Sequence, residues 1–234
     1  MSEPEIIELD AIDCRLEQRP WRFAEENAEA IRAHWQKVIE AKPASFNGKI
    51  LLLHRWQIAG RRFSGAYLMT DYASFLAWRD FGMPGEARWN CFAMAALEAA
   101  DGAFLLGEMA EHTSNAGAIY FAAGTPDPSD LDGDIVNLAG SVTRELEEET
   151  GVTTADVEIA SGWTAVFHGP RIALMKSVRS PLSSAELKDG IEHFLAEDER
   201  PELERMHVVA SSADIRADRM PAFQCAYLAH RLAS

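Results

Sequence analysis

Apolar and polar residues alternate along this 234-residue chain in patterns that predict strands and helices in turn. Strands are predicted at residues 6–16, 49–56, 63–70, 91–99, 103–109, 119–123, 157–167, 172–178 and 206–211. Helices are predicted at residues 23–41, 71–81, 138–150, 184–196 and 221–232. Because helices and strands are interleaved, we expect an α/β fold, an α/β/α sandwich with a mixed sheet.

The turn dipeptide Asn47-Gly48 separates a first segment from the rest of the chain. Residues 1–47 are expected to form an N-terminal extension of one strand and one helix. Residues 48–234 are expected to form the main domain, with its core at about residues 90–212.

The helix predicted at residues 138–150 ends in an unusually acidic stretch, R-E-L-E-E-E-T-G-V at residues 144–152. On a helical wheel, Glu145, Glu148 and Glu149 share an arc about 100° wide beside the apolar face, whereas Glu147 points away. Like charges one turn apart repel, and a hard cation such as Mg²⁺ takes oxygen ligands. The pattern therefore favours a metal-binding helix, and the alternative is a solvated acidic helix that holds no metal.

The order of these residues resembles the second half of the Nudix box, R-E-U-x-E-E-x-G-U, where U is a bulky aliphatic residue. All seven specified positions match, namely Arg144, Glu145, Leu146, Glu148, Glu149, Gly151 and Val152. In Nudix hydrolases the helix glutamates bind Mg²⁺ or Mn²⁺, and the enzymes cleave a diphosphate bond in a nucleoside diphosphate linked to another group. The resemblance therefore implies a Nudix-like α/β/α fold, and it assigns residues 48–234 as a Nudix hydrolase domain.

The first half of the box departs from the family pattern. Val136 and Asp130 stand where the family has a glutamate and a glycine. Upstream, Gly124 resembles the glycine of the family's loop, and residues 128–135 are interpreted as containing an insertion. The acids that are candidates to replace the missing glutamate are Asp127, Asp130, Asp132 and Asp134.

The resemblance assigns roles to individual residues of this chain. Arg144, Glu145, Glu148 and Glu149 are expected to be catalytic, and the three glutamates among them are expected to bind the metal. Leu146, Gly151 and Val152 are expected to be structural. The expected substrate-binding residues are Gly124, Arg171 and Phe121, with Lys176 as a second cation and Tyr120, Trp163 and Phe167 as further aromatic candidates.

A carboxylate near the metal is expected to act as general base, because water is a poor nucleophile at neutral pH. It is one of the helix glutamates or an acid from a loop beyond the box. The loop candidates are Glu192, Glu197, Glu199 and Glu202.

Composition limits the possible partners and location. The formal net charge of −15 argues against long nucleic acid and leaves a small anionic nucleotide as the expected substrate. Three widely spaced cysteines, the absence of a long apolar run and the acidic first residues predict a cytoplasmic protein without a membrane span. A homodimer is possible by analogy with the family.

The expected function is Mg²⁺-dependent hydrolysis of a diphosphate bond in a nucleoside diphosphate derivative, with Mn²⁺ as a second possible cofactor. The sequence leaves the derivative open between nucleotide sugars, ADP-ribose, dinucleotides and coenzyme A compounds. The alternative is a degenerate Nudix domain that binds a nucleotide or a protein partner without hydrolysis. Val136 favours the alternative, and the complete second half of the box favours the enzyme.

Overall fold

A computed structural model describes residues 3–43, 45–113 and 115–233. The strands are β1 (Glu5–Leu9), β2 (Ala11–Leu16), β3 (Lys49–Ala59), β4 (Arg62–Asp71), β5 (Asn90–Glu98), β6 (Phe104–Met109), β7 (Ile119–Tyr120), β8 (Leu131–Asp132), β9 (Ile135–Val136), β10 (Glu158–Ile159), β11 (Trp163–His168), β12 (Arg171–Arg179) and β13 (Leu203–Val209). The helices are α1 (Arg22–Glu26), α2 (Ala28–Ala41), α3 (Tyr72–Asp80), α4 (Leu138–Thr150), α5 (Ser184–Glu197) and α6 (Ala222–Leu232).

The chain folds into two compact units, and each is made of separate stretches of sequence. Unit 1 comprises Met1–Ala11, Phe92–Gly124 and Leu138–Ser234, and unit 2 comprises Ile12–Cys91 and Thr125–Asn137. The expected boundary at residue 47 concerns where a catalytic domain begins, and it stays a prediction.

Unit 1 is organised around an eight-stranded sheet with the order β1-β11-β12-β5-β6-β13, in which β10 pairs with β12 and β7 with β6. β1 runs antiparallel to β11, with Glu5 opposite Phe167 and Leu9 opposite Trp163. β13 runs antiparallel to β6, which places the chain after α5 back on the sheet.

Both faces of the sheet of unit 1 are apolar, and β5 is buried at every position from Cys91 to Leu97. Met94 and Ala96 of β5 pack in one buried layer with Phe223 and Tyr227 of α6. Since successive side chains of a strand point to opposite faces, Ala95 and its alternate neighbours line the other face. α5 contacts β6 and β13 and also packs on α4. The result is the expected α/β/α sandwich.

Unit 2 contains the second sheet, with the order β3-β4-β2-β9-β8. β3 and β4 form a long antiparallel hairpin whose pairing shifts between Leu53 and Arg55. α1, α2 and α3 supply an aromatic core, in which Trp21, Phe75 and Trp78 are buried together.

Several predicted elements differ from the observed ones. The strand predicted at residues 6–16 is two strands separated at Asp10, and each half belongs to a different sheet. The helix predicted at residues 23–41 is interrupted at Asn27. Residues 128–136 are more ordered than a plain insertion, with a 3₁₀ turn and the short pair of strands β8 and β9.

Within the described residues, the six helices do not include one that is both long enough and apolar enough to cross a lipid bilayer.

Candidate functional site

The end of α4 is fixed by backbone geometry and by the burial of its apolar side. Gly151 has a φ of +71°, in the left-handed region, and its N–H donates to the carbonyl oxygen of Glu147 at 2.9 Å. A side chain on Gly151 would meet the ring of Phe194 at 2.7 Å, so glycine is required for space as well as for conformation. Leu146 and Val152 are buried and anchor this end of the helix.

Glu149 is the carboxylate of α4 that lies inside the protein, with 7% of its surface exposed. Its Oε1 accepts a long hydrogen bond of 3.4 Å from the N–H of Ala123. Burial raises the pKa of Glu149 well above its usual range, and the negative charges of Glu145, Glu202 and Glu148 raise it further. A buried carboxylate with three acidic neighbours is unfavourable unless it is protonated or meets a cation.

Glu145 lies against the glycine segment that precedes the 128–136 region. A Cβ placed on Gly124 would come within 2.6 Å of Cδ of Glu145, so a larger residue would displace this carboxylate. The absent side chain of Gly124 therefore makes room for Glu145. The structure places these two residues together, although the sequence-based role of Gly124 was contact with substrate.

Arg144 pairs with two of the carboxylates. Its Nη1 lies 2.9 Å from Oε1 of Glu145 and donates to Oε2 of Glu148 at 3.0 Å. The Glu148 side chain is 59% exposed, so the acidic arc runs from solvent at Glu148 to the interior at Glu149. Glu147 is exposed on the opposite side, as the wheel predicts.

The donor set consists of carboxylate oxygens, which are the ligands that a hard divalent cation takes, and the charges of Glu145, Glu202 and Glu148 that act on the buried Glu149 are all negative. The arrangement is not a ready-made cage. In the described part of the chain, no group of three or more His, Cys, Asp or Glu side chains converges closely enough to hold a metal ion. The guanidinium of Arg144 lies between Glu145 and Glu148 instead.

The four candidates for the general base beyond the box have different surroundings, and two of them, Glu192 and Glu197, lie in helix α5 rather than in a loop. Glu202 acts electrostatically on Glu149 and is exposed. Glu192 accepts a hydrogen bond from the N–H of Met206, and Glu197 lies 3.6 Å from His193. Glu202, just before β13, is therefore the candidate whose negative charge contributes to the raised pKa of Glu149.

The acids proposed to replace the missing glutamate belong to unit 2, where they have local partners. Asp127 caps the 3₁₀ turn, and its own N–H donates to Oδ2 of the buried Asp130 at 3.0 Å. Asp134 lies 3.1 Å from Arg15. Val136 is buried in β9. These contacts give Asp127 and Asp130 a structural role in the 3₁₀ turn, and they place Asp134 in an ion pair with Arg15.

The substrate-binding candidates are distributed between surface and core. Arg171 is exposed at the start of β12, and its charge acts on the partly buried Tyr120. Phe121, at 1% exposure, packs edge to face against Phe104 and Tyr227, so its ring offers no face to a ligand. Its proposed contact with substrate is not supported by this packing, and Tyr120 is the better placed ring.

Lys176 is buried and makes its contacts within the protein. Its Nζ donates to the carbonyl oxygens of Ser161 and Gly162 at 3.0 and 3.2 Å and lies 4.2 Å from the centre of the Trp163 ring. Burial lowers the pKa of Lys176. With its donors directed to backbone carbonyls, this lysine is a structural cation rather than a phosphate contact.

A second buried glutamate was missed by sequence reasoning. Glu108 of β6 pairs with Arg219, accepts from His207 at 2.7 Å and lies 3.6 Å from Arg205. Burial alone would raise the pKa of Glu108, but hydrogen bonds from Arg219 and His207 outweigh it and lower the pKa. Nothing in the local sequence signals this network, because its partners lie about a hundred residues further along the chain.

The chain is similar to several solved structures, each with a TM-score below 0.5. The chain is similar to a Nudix hydrolase from M. smegmatis, RenU (14% identity, TM-score 0.39, 62% of this chain and 88% of the other), and to the MutT protein from Methanosarcina mazei Go1 (19% identity, TM-score 0.41, 63% and 96%). It is also similar to a C. elegans Ap4A hydrolase binary complex (15% identity, TM-score 0.37, 60% and 92%).

The described residues form a mixed α/β fold with two sheets, and unit 1 has the α/β/α arrangement expected from the sequence. No protein-family model and no curated protein matches the chain. The function must therefore be argued from residues 144–152 and their surroundings, because overall similarities of this size do not carry it.

Proposed function

We propose that this protein hydrolyses a diphosphate bond in a nucleoside diphosphate linked to another group, and that it uses Mg²⁺ or Mn²⁺ held by Glu145, Glu148 and Glu149. The cation supplies charge neutralisation of the phosphate oxygens and lowers the pKa of a bound water. The nucleotide derivative is left open between the classes compatible with the Nudix box.

The observation that carries the proposal is the state of Glu149. The Glu149 carboxylate is 7% exposed, and its pKa is raised by burial and by the charges of Glu145, Glu202 and Glu148. Its ionised form therefore destabilises the folded protein. Such an arrangement has no structural benefit in a metal-free protein. A divalent cation converts the same repulsion into ligation, and this supports a metal-binding role.

Arg144 and Gly124 are proposed to position the metal-binding carboxylates. Arg144 hydrogen-bonds Glu148 and lies beside Glu145, so it holds these two carboxylates in register along the helix. Gly124 leaves room for the Glu145 carboxylate. When a cation is present, we expect Arg144 to give up part of its contact with Glu145 and to keep the contact with Glu148.

Glu202 is the proposed general base. It is exposed, it lies within electrostatic range of Glu149, and it comes from a loop beyond the box. A base must reach the water that attacks phosphorus, and an exposed carboxylate at the edge of the acidic cluster has that access. Arg171 of β12 and Tyr120 of β7 are proposed to contact the substrate, as a cation and a ring, and the charge of Arg171 acts on Tyr120.

A second function has one observation in its favour. The buried Val136 stands where the family has a ligand, and the carboxylates of the described residues do not converge on a common point. A degenerate Nudix domain that binds nucleotide without hydrolysis has these features.

The deciding experiment measures phosphate and nucleotide release from a panel of nucleoside diphosphate derivatives with Mg²⁺ and with Mn²⁺. The test variant is Glu149→Gln, and the matched control is Glu147→Gln, an exposed glutamate of the same helix. We expect Glu149→Gln to lose about a hundredfold in kcat/KM, since it removes a metal ligand, and Glu147→Gln to retain activity. Nucleotide binding by the wild type without any turnover would establish the binding module and end the hydrolase proposal.

A further inference from the structure

Unit 2 contains a buried arginine whose hydrogen bonding is incomplete. Arg88 is 5% exposed, its Nη1 donates to the carbonyl oxygen of Ala87 at 2.8 Å, and its Nη2 donates to Oε2 of Glu86 at 2.7 Å. Its Nε is buried and has no hydrogen-bond partner among the residues the structure describes. An unmet buried donor on a charged group is costly, so this position calls for an explanation.

A second guanidinium converges on the same carboxylate oxygen. Nη2 of Arg19 lies 3.6 Å from Oε2 of Glu86, the atom that also accepts from Arg88. Two arginines directed at one oxygen form the arrangement that proteins use for phosphate groups. Hydrogen bonding by Arg88 lowers the pKa of Glu86, so the carboxylate is ionised and acts here as the anion.

Glu86 is a replaceable occupant of this position. Its side chain is 57% exposed, and it belongs to the loop 81–87, whose residues are all exposed. On a guanidinium, Nε and Nη2 form one edge that can donate two parallel bonds to a single oxyanion. Glu86 accepts from Nη2 alone. A phosphate group in its place accepts from both nitrogens and from Arg19.

His54 follows Leu53, the residue that pairs with Trp89, and it lies at an irregularity in β3. Leu53 pairs with Tyr67 and Arg55 pairs with Ala66, so His54 is the extra residue of a β-bulge. Its side chain is buried, and Nε2 lies 3.0 Å from Oε2 of Glu17. Burial lowers the pKa of His54, the charge of Glu17 opposes that shift, and the charges of Arg19 and Arg88 add to it.

The strand after Arg88 contributes an unmatched acceptor. Trp89 exchanges two backbone hydrogen bonds with Leu53, so residues 88–90 are extended and the side chains of Arg88 and Asn90 point to the same side. Oδ1 of Asn90 is buried and without a partner in the described ranges. A donor on one side chain and an acceptor on the other are thus both unmet at neighbouring positions.

We propose that Arg88 and Arg19, with His54 and Asn90 beside them, form a binding site for a phosphate group in unit 2, and that Glu86 closes this site when no ligand is bound. The site takes free hydrogen phosphate or a singly protonated phosphate monoester, whose oxygens accept from the arginines and whose P–OH donates to Oδ1 of Asn90. This proposal does not rest on the proposed hydrolysis, because all its residues belong to unit 2.

The test is isothermal titration with inorganic phosphate in the presence of a chelator, which prevents metal-dependent binding elsewhere. Glu86→Gln removes the competing carboxylate charge and is expected to tighten phosphate binding by about fivefold or more. Arg19→Gln removes one of the two converging cations and is expected to weaken it by about fivefold. Both side chains are at the surface, so neither variant is expected to impair folding.

The matched control is Arg62→Gln, which removes an exposed arginine of the same unit at the start of β4 and is expected to leave binding unchanged. Absence of phosphate binding by both the wild type and Glu86→Gln would overturn the proposal. Equal binding by all variants would also overturn it, because the anion would then bind elsewhere. A parallel titration with ADP separates the ligand sources, since tighter binding than phosphate with the same variant pattern identifies a nucleotide.

Discussion

Glu108 and Glu149 are two buried glutamates of the same unit, and they have opposite surroundings. Glu108 is enclosed by Arg219, His207 and Arg205, and the pKa of its carboxyl is lowered. Glu149 has acidic neighbours, and its pKa is raised. Both side chains are little exposed, at 8% and 7%, and the charges of their partners have opposite sign. A buried charge that is matched by its neighbours holds a fold together, whereas one that is opposed by them indicates a ligand.

The largest stability effect is expected at the matched carboxylate. Glu108→Gln leaves Arg219 and His207 without their anion, and we expect the free energy of unfolding to fall by about 2 kcal/mol. Urea unfolding at neutral pH measures this loss. The rate of substrate cleavage per folded molecule is expected to stay near the wild-type value, and a selective loss of rate would place Glu108 in the catalytic machinery instead.

Replacement of Glu149, the carboxylate with acidic neighbours, is expected to increase stability rather than to lower it. Glu149→Gln removes a charge that burial and three glutamates destabilise, so the metal-free protein should gain about 1 kcal/mol in its free energy of unfolding. Unfolding with and without Mg²⁺ measures this gain. The wild type should be stabilised by Mg²⁺ and the variant much less. A clear destabilisation of the metal-free variant contradicts the comparison.

Dependence on pH should separate the two residues further. The folded pKa of Glu149 is raised, so its contribution to stability is present below the ordinary glutamate pKa and is lost as pH rises through the raised value. The folded pKa of Glu108 is lowered, so its contribution is present above the ordinary value and is lost as pH falls through the lowered one.

Unfolding of chelator-treated protein between about pH 5 and about pH 8 isolates the Glu149 contribution. Wild type should lose stability across this range relative to Glu149→Gln, and saturating Mg²⁺ should remove the difference. If the free energy of unfolding changed with pH equally in the wild type and in Glu149→Gln, burial and the neighbouring glutamates would not destabilise ionised Glu149 in solution.

The smallest expected effect on stability concerns Glu202, an exposed acid outside helix α4. Glu202→Gln removes one of the charges that raise the pKa of Glu149, but burial is the larger cause and remains. The pH slope should therefore flatten only partly, while kcat falls strongly if Glu202 is the base. Glu199→Gln, in the same loop, is the control. Equal kcat for both variants would remove Glu202 from the mechanism.

Local sequence determined the part of the site that could be predicted. Helix α4 has the predicted bounds 138–150, because good helix formers run uninterrupted up to a glycine that takes the left-handed conformation. The wheel also separates the exposed Glu147 from Glu149. It does not reveal that Glu149 is the deeply buried carboxylate, which depends on the segment around Ala123 that packs against it.

The features that could not be predicted depend on contacts between residues that are far apart in the sequence. The alternation in residues 6–16 is continuous, and only pairing with β11 shows that a break occurs at Asp10. Phe121 was taken for a ligand contact because it precedes the glycine segment, but Phe104 and Tyr227 enclose its ring. The bulge at His54 likewise depends on the register of β3 and β4, and the residue types in this segment do not predict it.

The discontinuous make-up of both units has a consequence for biosynthesis. Glu5 pairs with Phe167, so β1 leaves the ribosome long before its partner strand exists. Unit 2 is likewise incomplete until residues 125–137 have been translated. Contacts between residues so far apart in sequence slow folding and leave apolar strands uncovered for longer. Chain segments cut at a single point will not reproduce either unit, and synonymous changes that alter translation speed before residue 167 should change the yield of native protein.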